Sequence, residues 1–193
     1  RFMRRPKKDN PTAQLAYADR LAAENKLIRA GRHYDALVRK WAASSEAGPA
    51  QRRLAEVLTQ RRKYVPAFDE YQYLADHFVG ELSYTNTLVI QYRLAETIMR
   101  QRHLTLGFLP GFAAPEKAIP LFEKIVASAP NWERSPQAQF NVGWINEQIE
   151  DRDLAIVAYE TGMLHYPDSP LAPLMAFRRA QLLYELAKDA PRD

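Results

Sequence analysis

The 193-residue chain contains no cysteine. That excludes disulfides, a thiol nucleophile and any thiolate metal site, and it leaves the redox compartment open. Only seven glycines are present, too few for an all-β fold built on many tight turns. No apolar run approaches the ~20 residues that a membrane-spanning helix needs. The four histidines, His33, His77, His103 and His165, form no i, i+4 pair, and His-Glu-x-x-His does not occur. No metal site is expected from that spacing. Glycine-rich phosphate loops and Gly-x-Ser-x-Gly are missing as well, and no two carboxylates stand out as an acid–base couple. Neither catalysis nor a cofactor is expected. No signal peptide is visible and the first residue is Arg1, so a processed or trimmed product is expected, with any targeting segment upstream.

Charge of one sign is scarce once the N-terminus is set aside. Residues 1–8 hold Arg1, Arg4, Arg5, Lys7 and Lys8 with no acid, whereas the remainder carries 22 basic and 23 acidic residues. The high isoelectric point is a property of a tail. A whole-domain nucleic-acid footprint is therefore not expected. The tail, taken as residues 1–10, reads as a flexible solvated end, or as a basic segment for an anionic lipid or polymer. Residues 11–193 read as a single domain. At 47% hydrophobic and 26% charged residues, the composition is that of an ordinary globular protein.

What the chain has is repetition. Ala118, Phe122, Pro130, Phe140 and Gly143 recur 37 residues on as Ala155, Tyr159, Pro167, Phe177 and Ala180. Arg53-Leu54-Ala55-Glu56 returns 40 residues on as Arg93-Leu94-Ala95-Glu96. A fixed period of this size signals stacked supersecondary units, each a helix pair. Small residues 12 apart, Gly143 with Ala155 and Ala55 with Ala67, let two antiparallel helices approach closely. Tyr71, Phe122 and Tyr159 lie four residues after the second small residue, on the same face, and are expected to fill the gap toward the next unit.

The pattern predicts an all-α, right-handed solenoid of about four helix pairs and a final capping helix. The first pair is expected at about 10–29 and 33–45, with Gly31, His33 and Ala36 in step but its first helix out of step. The second is expected from Pro49 to Arg62 and from Val65 to Phe78, the third at about 84–103 and 115–128. The fourth is expected at about 136–149 and 153–165, with Ser135 as its N-cap. The last helix runs from about Leu171 to Lys188. Pro120 conflicts with a helix begun at Pro115, so that helix either starts near Ile119 or kinks.

Eleven extra residues separate Ala95 from Ala118. The insertion at about 101–114 is apolar, and such a loop either folds back onto the scaffold or meets a partner. Its candidate partner-binding residues are Leu104, Leu106, Phe108, Leu109 and Phe112. In helix-pair solenoids the first helices line a concave side, and residues three before and one after the small position face it. That selects Arg52 and Glu56, Tyr92 and Glu96, Phe140 and Trp144, and Phe177 and Gln181, with Met99 and Arg100 one turn further. Aromatics mixed with charge suit a peptide, although Phe140 and Phe177 also fit a role in the core between units.

The helix pairs resemble the tetratricopeptide repeat, clearest in Tyr64-x-x-Ala67-x-x-x-Tyr71, in Ala118-x-x-x-Phe122 with Pro130, and in Gly143 with Ala155, Tyr159 and Pro167. Arg152 departs from it, standing where the repeat usually has an aromatic. Over about residues 50–188, Gln51-Arg52-Arg53-Leu54-Ala55-Glu56, Gln139-Phe140 and Tyr166-Pro167-Asp168-Ser169-Pro170-Leu171-Ala172 look like the tetratricopeptide lipoproteins of the BamD (YfiO) type. That resemblance implies a scaffold of the β-barrel assembly machinery, lipid-anchored upstream of Arg1 on the periplasmic face of the bacterial outer membrane, with protein partners. The insertion and the missing lipid-bearing cysteine depart from the group. Other expectations compatible with the repeat are a Tol–Pal-associated periplasmic adaptor, a cytoplasmic peptide-binding protein and a helical domain of a larger enzyme.

Overall fold

The computed structural model describes residues 5–100 and 114–189. Among them are nine α-helices: α1 (Pro11–Ala23), α2 (Leu27–Lys40), α3 (Ala47–Gln60), α4 (Tyr64–His77), α5 (Tyr84–Arg100), α6 (Ile119–Ser128), α7 (Ser135–Gln148), α8 (Arg152–His165) and α9 (Ala172–Asp189). A 3-10 turn, Pro115–Ala118, leads into α6. Pro120 thus falls in the first turn of α6, where a missing N–H costs nothing. The fold is all-α, with tetratricopeptide-like helix pairs, as the period predicts. The helices divide into two compact units, the first to Leu94 and the second from Ala95. The apolar insertion residues, from Leu104 to Phe112, lie outside the described residues.

Small side chains set each pair. Ala18 and Ala30, Ala55 and Ala67, and Ala95 and Ala118 are all fully buried, as are Gly143 and Ala155. The aromatic four residues beyond the second small residue, Tyr34, Tyr71, Phe122 or Tyr159, is buried each time. The first pair is therefore in step with the others. Its register residues are Ala18, Ala30 and Tyr34, and not Gly31, His33 and Ala36. The aromatic also serves its own pair, contrary to the expectation that it fills the gap to the next one. A Cβ built on Gly143 would lie 2.5 Å from the Tyr159 ring, so the ring occupies the space over the glycine of the paired helix.

A buried glutamine locks three of the pairs. Gln14, Gln51 and Gln139 sit four residues before the small residue of the first helix and are almost fully buried. Each Nε2 donates across the pair to a main-chain carbonyl 19 residues on: His33 at 3.1 Å, Glu70 at 2.9 Å and Ala158 at 2.9 Å. A buried amide left unpaired costs about 1–3 kcal/mol, so each bond penalises slippage of one helix along the other. Gln91 holds the same position but turns to Gln72 Oε1 on α4, 3.0 Å away. Gln14 also accepts the main-chain N–H groups of Lys7 and Lys8, both at 3.0 Å. That end of the basic tail is thus tied to α1.

The turns repeat too. Asn25, Arg62 and Glu150 occupy one repeat position, and all three have positive φ, at 56°, 56° and 64°. The next N–H in each case bonds five residues back, as in Lys26 to Leu21, Lys63 to Leu58 and Asp151 to Asn146. This is the Schellman ending of a helix, which favours glycine. With Asn25 in that conformation α1 stops at Ala23, well short of Arg29. Between pairs, the N–H of Ser169 bonds Tyr166 and that of Ala172 bonds Ser169. Two consecutive turns result, with Pro167 and Pro170 at their second positions, where proline fits. Ser135 is not an N-cap: it lies in the first turn of α7, and its Oγ donates to the Ala129 carbonyl at 2.6 Å.

Arg62→Gly relieves a left-handed side chain without touching a contact of the core. It is expected to add about 0.5–1 kcal/mol and to raise the melting midpoint by about 2–4 °C per kcal/mol. Gly143→Ala is expected to destabilise by about 1–3 kcal/mol through overpacking against Tyr159. In a Tyr159→Leu background the same change becomes neutral or favourable, because alanine is the better helix former. A double-mutant cycle in urea reads the sign change.

Candidate interaction surface

The residues expected on a concave face do not share one environment. In the first unit Arg52 is half-buried, Glu56 is exposed, and Tyr92 is only 3% exposed. Tyr92 belongs to the core and offers no surface, a correction to its place among the contact residues. In the second unit Glu96 is half-buried and pairs with Arg100 at 3.0 Å, Met99 is half-buried, and Gln181 is exposed and bonded to Glu185. Phe140 is half-buried against Tyr159, its ring centroid 5.7 Å away, and Trp144 is half-buried. Phe177 sits at the equivalent repeat position to Phe140 yet is 63% exposed.

Phe177 is one of several exposed apolar residues on α8 and α9, most of which reasoning from the sequence missed. On α8, Leu154, Val157 and Leu164 are 54%, 56% and 74% exposed. They fall at i, i+3 and i+10, on one side of the helix. The same repeat positions are exposed on the other second helices. There they hold Arg29, Arg32 and Arg39 on α2, Pro66, Asp69 and Asp76 on α4, and Lys117, Pro120 and Ala127 through the 3-10 turn and α6. Charge or short side chains keep those helices solvated, and α8 replaces them with leucine and valine. On α9, Leu174, Phe177, Leu183 and Tyr184 are exposed as well. Single exposed apolar residues are ordinary, whereas a set aligned along one helix side, as on α8, marks a candidate contact surface. The signal was legible only after the second helices had been aligned: a position that carries charge in α2 and α4 turns apolar in α8.

The surface is mounted rigidly. Gly162 on α8 has no room for a side chain, since a Cβ there would run into Met175 Sδ of α9. Met175, Leu182, Ala155 and Tyr159 form the core between them, with Phe140, Ile156, Met163 and Leu171 packed around. Arg179 on α9 bonds Glu160 on α8 at 3.0 Å, and Arg178 bonds Glu147 on α7 at 3.3 Å. Glu147 also accepts the Tyr159 hydroxyl at 2.8 Å. Burial, with this carboxylate beside it, pushes the Tyr159 phenol far above its ordinary range, so it stays a donor.

The first unit repeats the device. Tyr34 donates to Asp19 at 2.7 Å, and Arg53 reaches the same Asp19 oxygen at 3.2 Å. Arg53 and Arg178 hold one repeat position, two before the small residue, which gives the arginine of the Arg-Leu-Ala-Glu echo a physical role. It reaches back to the carboxylate that the preceding tyrosine holds. The pairs remain partly exposed, so each ion pair contributes at most about 1 kcal/mol, and their main effect is on geometry.

Charge divides between the units. Among the described residues the first unit carries 15 Lys and Arg against 10 Asp and Glu, and the second 8 against 12. At the basic end, Lys7, Lys8 and Arg20 lie 5.1, 5.6 and 5.3 Å from the centroid of the Tyr17 ring. His33 packs edge-on against that ring, and its Nδ1 is 3.1 Å from Gln14 Nε2. Burial and the nearby Arg29 and Lys7 hold the imidazole below its ordinary range. Among the described residues no cluster of three or more His, Asp or Glu could hold a metal, and no helix is long and apolar enough to cross a membrane.

No protein-family model and no curated protein sequence matches the chain. Solved structures of similar architecture include kinesin-light-chain TPR-like repeats of Podosopora anserina, at 12% identity and a TM-score of 0.39, covering 94% of this chain and 90% of that one. MamA from Desulfovibrio magneticus RS-1 is 14% identical, with a TM-score of 0.38 and coverage of 95% and 99%. YrrB, a TPR protein with an unusual peptide-binding site, is 15% identical, with a TM-score of 0.39 and coverage of 91% and 88%. These neighbours are tetratricopeptide-repeat proteins. At such scores, the tetratricopeptide-like class rests on the chain's own small-residue and aromatic packing.

The His33 imidazole titrates below its unfolded value, so it contributes stability that is complete above about pH 6.5 and is lost as pH falls through the folded-state value. The urea midpoint is expected to fall between pH 7 and pH 5. His33→Gln, which cannot be protonated, is expected to flatten that slope. An unchanged slope in the variant assigns the acid sensitivity to other groups.

Proposed function

We propose that this protein is a non-catalytic scaffold that binds other proteins through the exposed apolar side chains of α8 and α9. One observation carries the reading. Leu164, Phe177 and Tyr184 are each more than 60% exposed, on helices whose other faces are pinned by Met175, Arg178 and Arg179. A surface both apolar and rigid loses little conformational entropy on binding, which favours affinity. Phe177 and Tyr184 are aromatic anchors of the type that dominates binding energy. Under the same reading, Arg52 and Glu56 are candidate peptide contacts of the first unit, and Glu96, Met99, Arg100, Phe140, Trp144 and Gln181 are candidate contacts of the second.

Its finer form is a bacterial envelope scaffold resembling the BamD component of the β-barrel assembly machinery, lipid-anchored at the periplasmic face of the outer membrane. The Tyr166 to Ala172 link and the two Arg-Leu-Ala-Glu segments support it. The link forms two proline-seeded turns, and Arg53 of the first segment forms an inter-pair latch.

A photo-crosslinking side chain at Leu164 or Phe177, installed in the protein in its native cell, is expected to capture a discrete protein partner. Leu164→Glu together with Phe177→Glu is expected to abolish capture while leaving the helical circular dichroism intact. Capture of an outer-membrane assembly component supports the envelope form. Capture of cytoplasmic proteins alone rejects that form, and no capture from either position rejects the scaffold reading.

A further inference from the structure

The last helix is built as half of a pair. Ala180 on α9 holds the repeat position of Ala18, Ala55, Ala95 and Gly143. Those four are buried, and Ala180 is exposed. The neighbouring positions on the same face tell the same story. Leu183 corresponds to Leu21, Leu58 and Ile98, and Tyr184 to Ala22, Thr59 and Met99. All six counterparts are buried or half-buried, whereas Leu183 is 41% and Tyr184 71% exposed. Among the described residues, the side of α9 that receives a second helix in the other pairs is uncovered. At the glutamine position α9 carries Ala176, so covering this face buries no amide that needs a partner.

The first unit shows where the missing helix would lie. There α4 packs over α3, and a groove of about 310 Å³ separates it from α2, lined by Ile28, Arg32, Leu54, Arg61 and Pro66 among others. The first four correspond to Asp153, Val157, Arg179 and Leu186. A helix seated the same way on α9 would cover Ala180 and Leu183 and run beside Val157 of the α8 stripe. Its first residues would enter a recess of about 490 Å³ lined by Ile149, Glu150, Asp151, Arg152, Asp153 and Leu186. Arg152 is engaged by Asp189 at 2.8 Å, which leaves the recess acidic. In the first unit the residues that follow the Leu186 counterpart, Arg61, are Arg62 and Lys63, both basic.

The geometry points to α9 as the docking site for an amphipathic helix of a partner protein, which completes a fifth helix pair. The partner helix is introduced by Lys or Arg, which suits the acidic recess, and carries a small residue to meet Ala180 with an aromatic four residues later. This is the helix-in-groove mode of recognition with the repeat's own internal interface as the template. The inference rests on the reading of α8 and α9 as an interaction surface and names what that surface takes.

A fluorescent peptide of residues 61–78 of this chain supplies the required chemistry in Lys63, Ala67 and Tyr71. Titrated with the intact protein, it is expected to bind saturably, and a scrambled peptide is not. Ala180→Glu, a change at an exposed position that leaves the fold intact by circular dichroism, is expected to weaken binding at least about tenfold by setting a charge against the apolar contact. Glu150→Lys with Asp153→Lys is expected to weaken it severalfold at low salt, with the difference shrinking at high salt. Failure of the peptide to bind, or binding indifferent to Ala180→Glu, overturns the inference. Self-association of the protein that Ala180→Glu abolishes also overturns it, because a second copy then holds the site, and so does protection of a probe at Ala180 in the full-length protein alone, because another segment of the same chain then holds it. Crosslinked capture at Phe177 that survives Ala180→Glu overturns helix pairing and leaves the scaffold reading in place.

Discussion

The helix pairs α1–α2, α3–α4 and α7–α8 depend on one steric fit: two small residues let paired helices approach, and an aromatic ring closes the space beside them. Tyr159 over Gly143 is its tightest form, with no room for even one added methyl group. Close approach also brings the buried glutamines within 2.9–3.1 Å of the opposite main chain, and it places the tyrosine hydroxyls on Asp19 and Glu147. Interiors packed at this density resist small changes of volume. Packing, amide bond and hydroxyl bond therefore specify the same register, and agreement among levels is what gives a sequence one structure.

The latches extend that register from one pair to the next. Arg53 and Arg178 gain little energy from their partly exposed partners, but each approaches a carboxylate already held by a tyrosine. The acceptor is preorganised before the arginine arrives, so little extra freedom is lost when the bond forms. An arginine two residues before the small position thus serves orientation more than stability. It leaves α9 anchored along one side and, among the described residues, uncovered along the other.

Because the repeat supplies its own controls, departures from it carry information. The outward positions of α2 and α4 are charged apart from Pro66, and the same positions of α8 are Leu154, Val157 and Leu164. A first helix normally hides its small residue, and α9 displays Ala180. Both departures lie in the second unit, whose described residues carry an acidic excess, while the first unit carries a basic one. A partner that engages α9 meets apolar side chains first and acidic ones at Glu150, Asp151 and Asp153.

The sequence by itself determined the all-α class, the pairing of helices and most helix limits, because these follow from local signals. Small residues at fixed spacing, prolines in first turns and an aromatic one turn on each act within a few residues. It did not disclose the break at Asn25, since Glu24-Asn25-Lys26 contains neither glycine nor proline and only the left-handed φ of Asn25 ends α1. Nor could it separate Tyr92, buried in the core, from Phe177, exposed at the equivalent repeat position. Exposure of a first-helix residue depends on whether a second helix lies over it, which is a property of neighbours distant in sequence. For the same reason the apolar surface of α8 and α9 emerged only from the tertiary structure: the residues of α9 match those buried elsewhere, and what differs is the absence of a covering helix among the described residues.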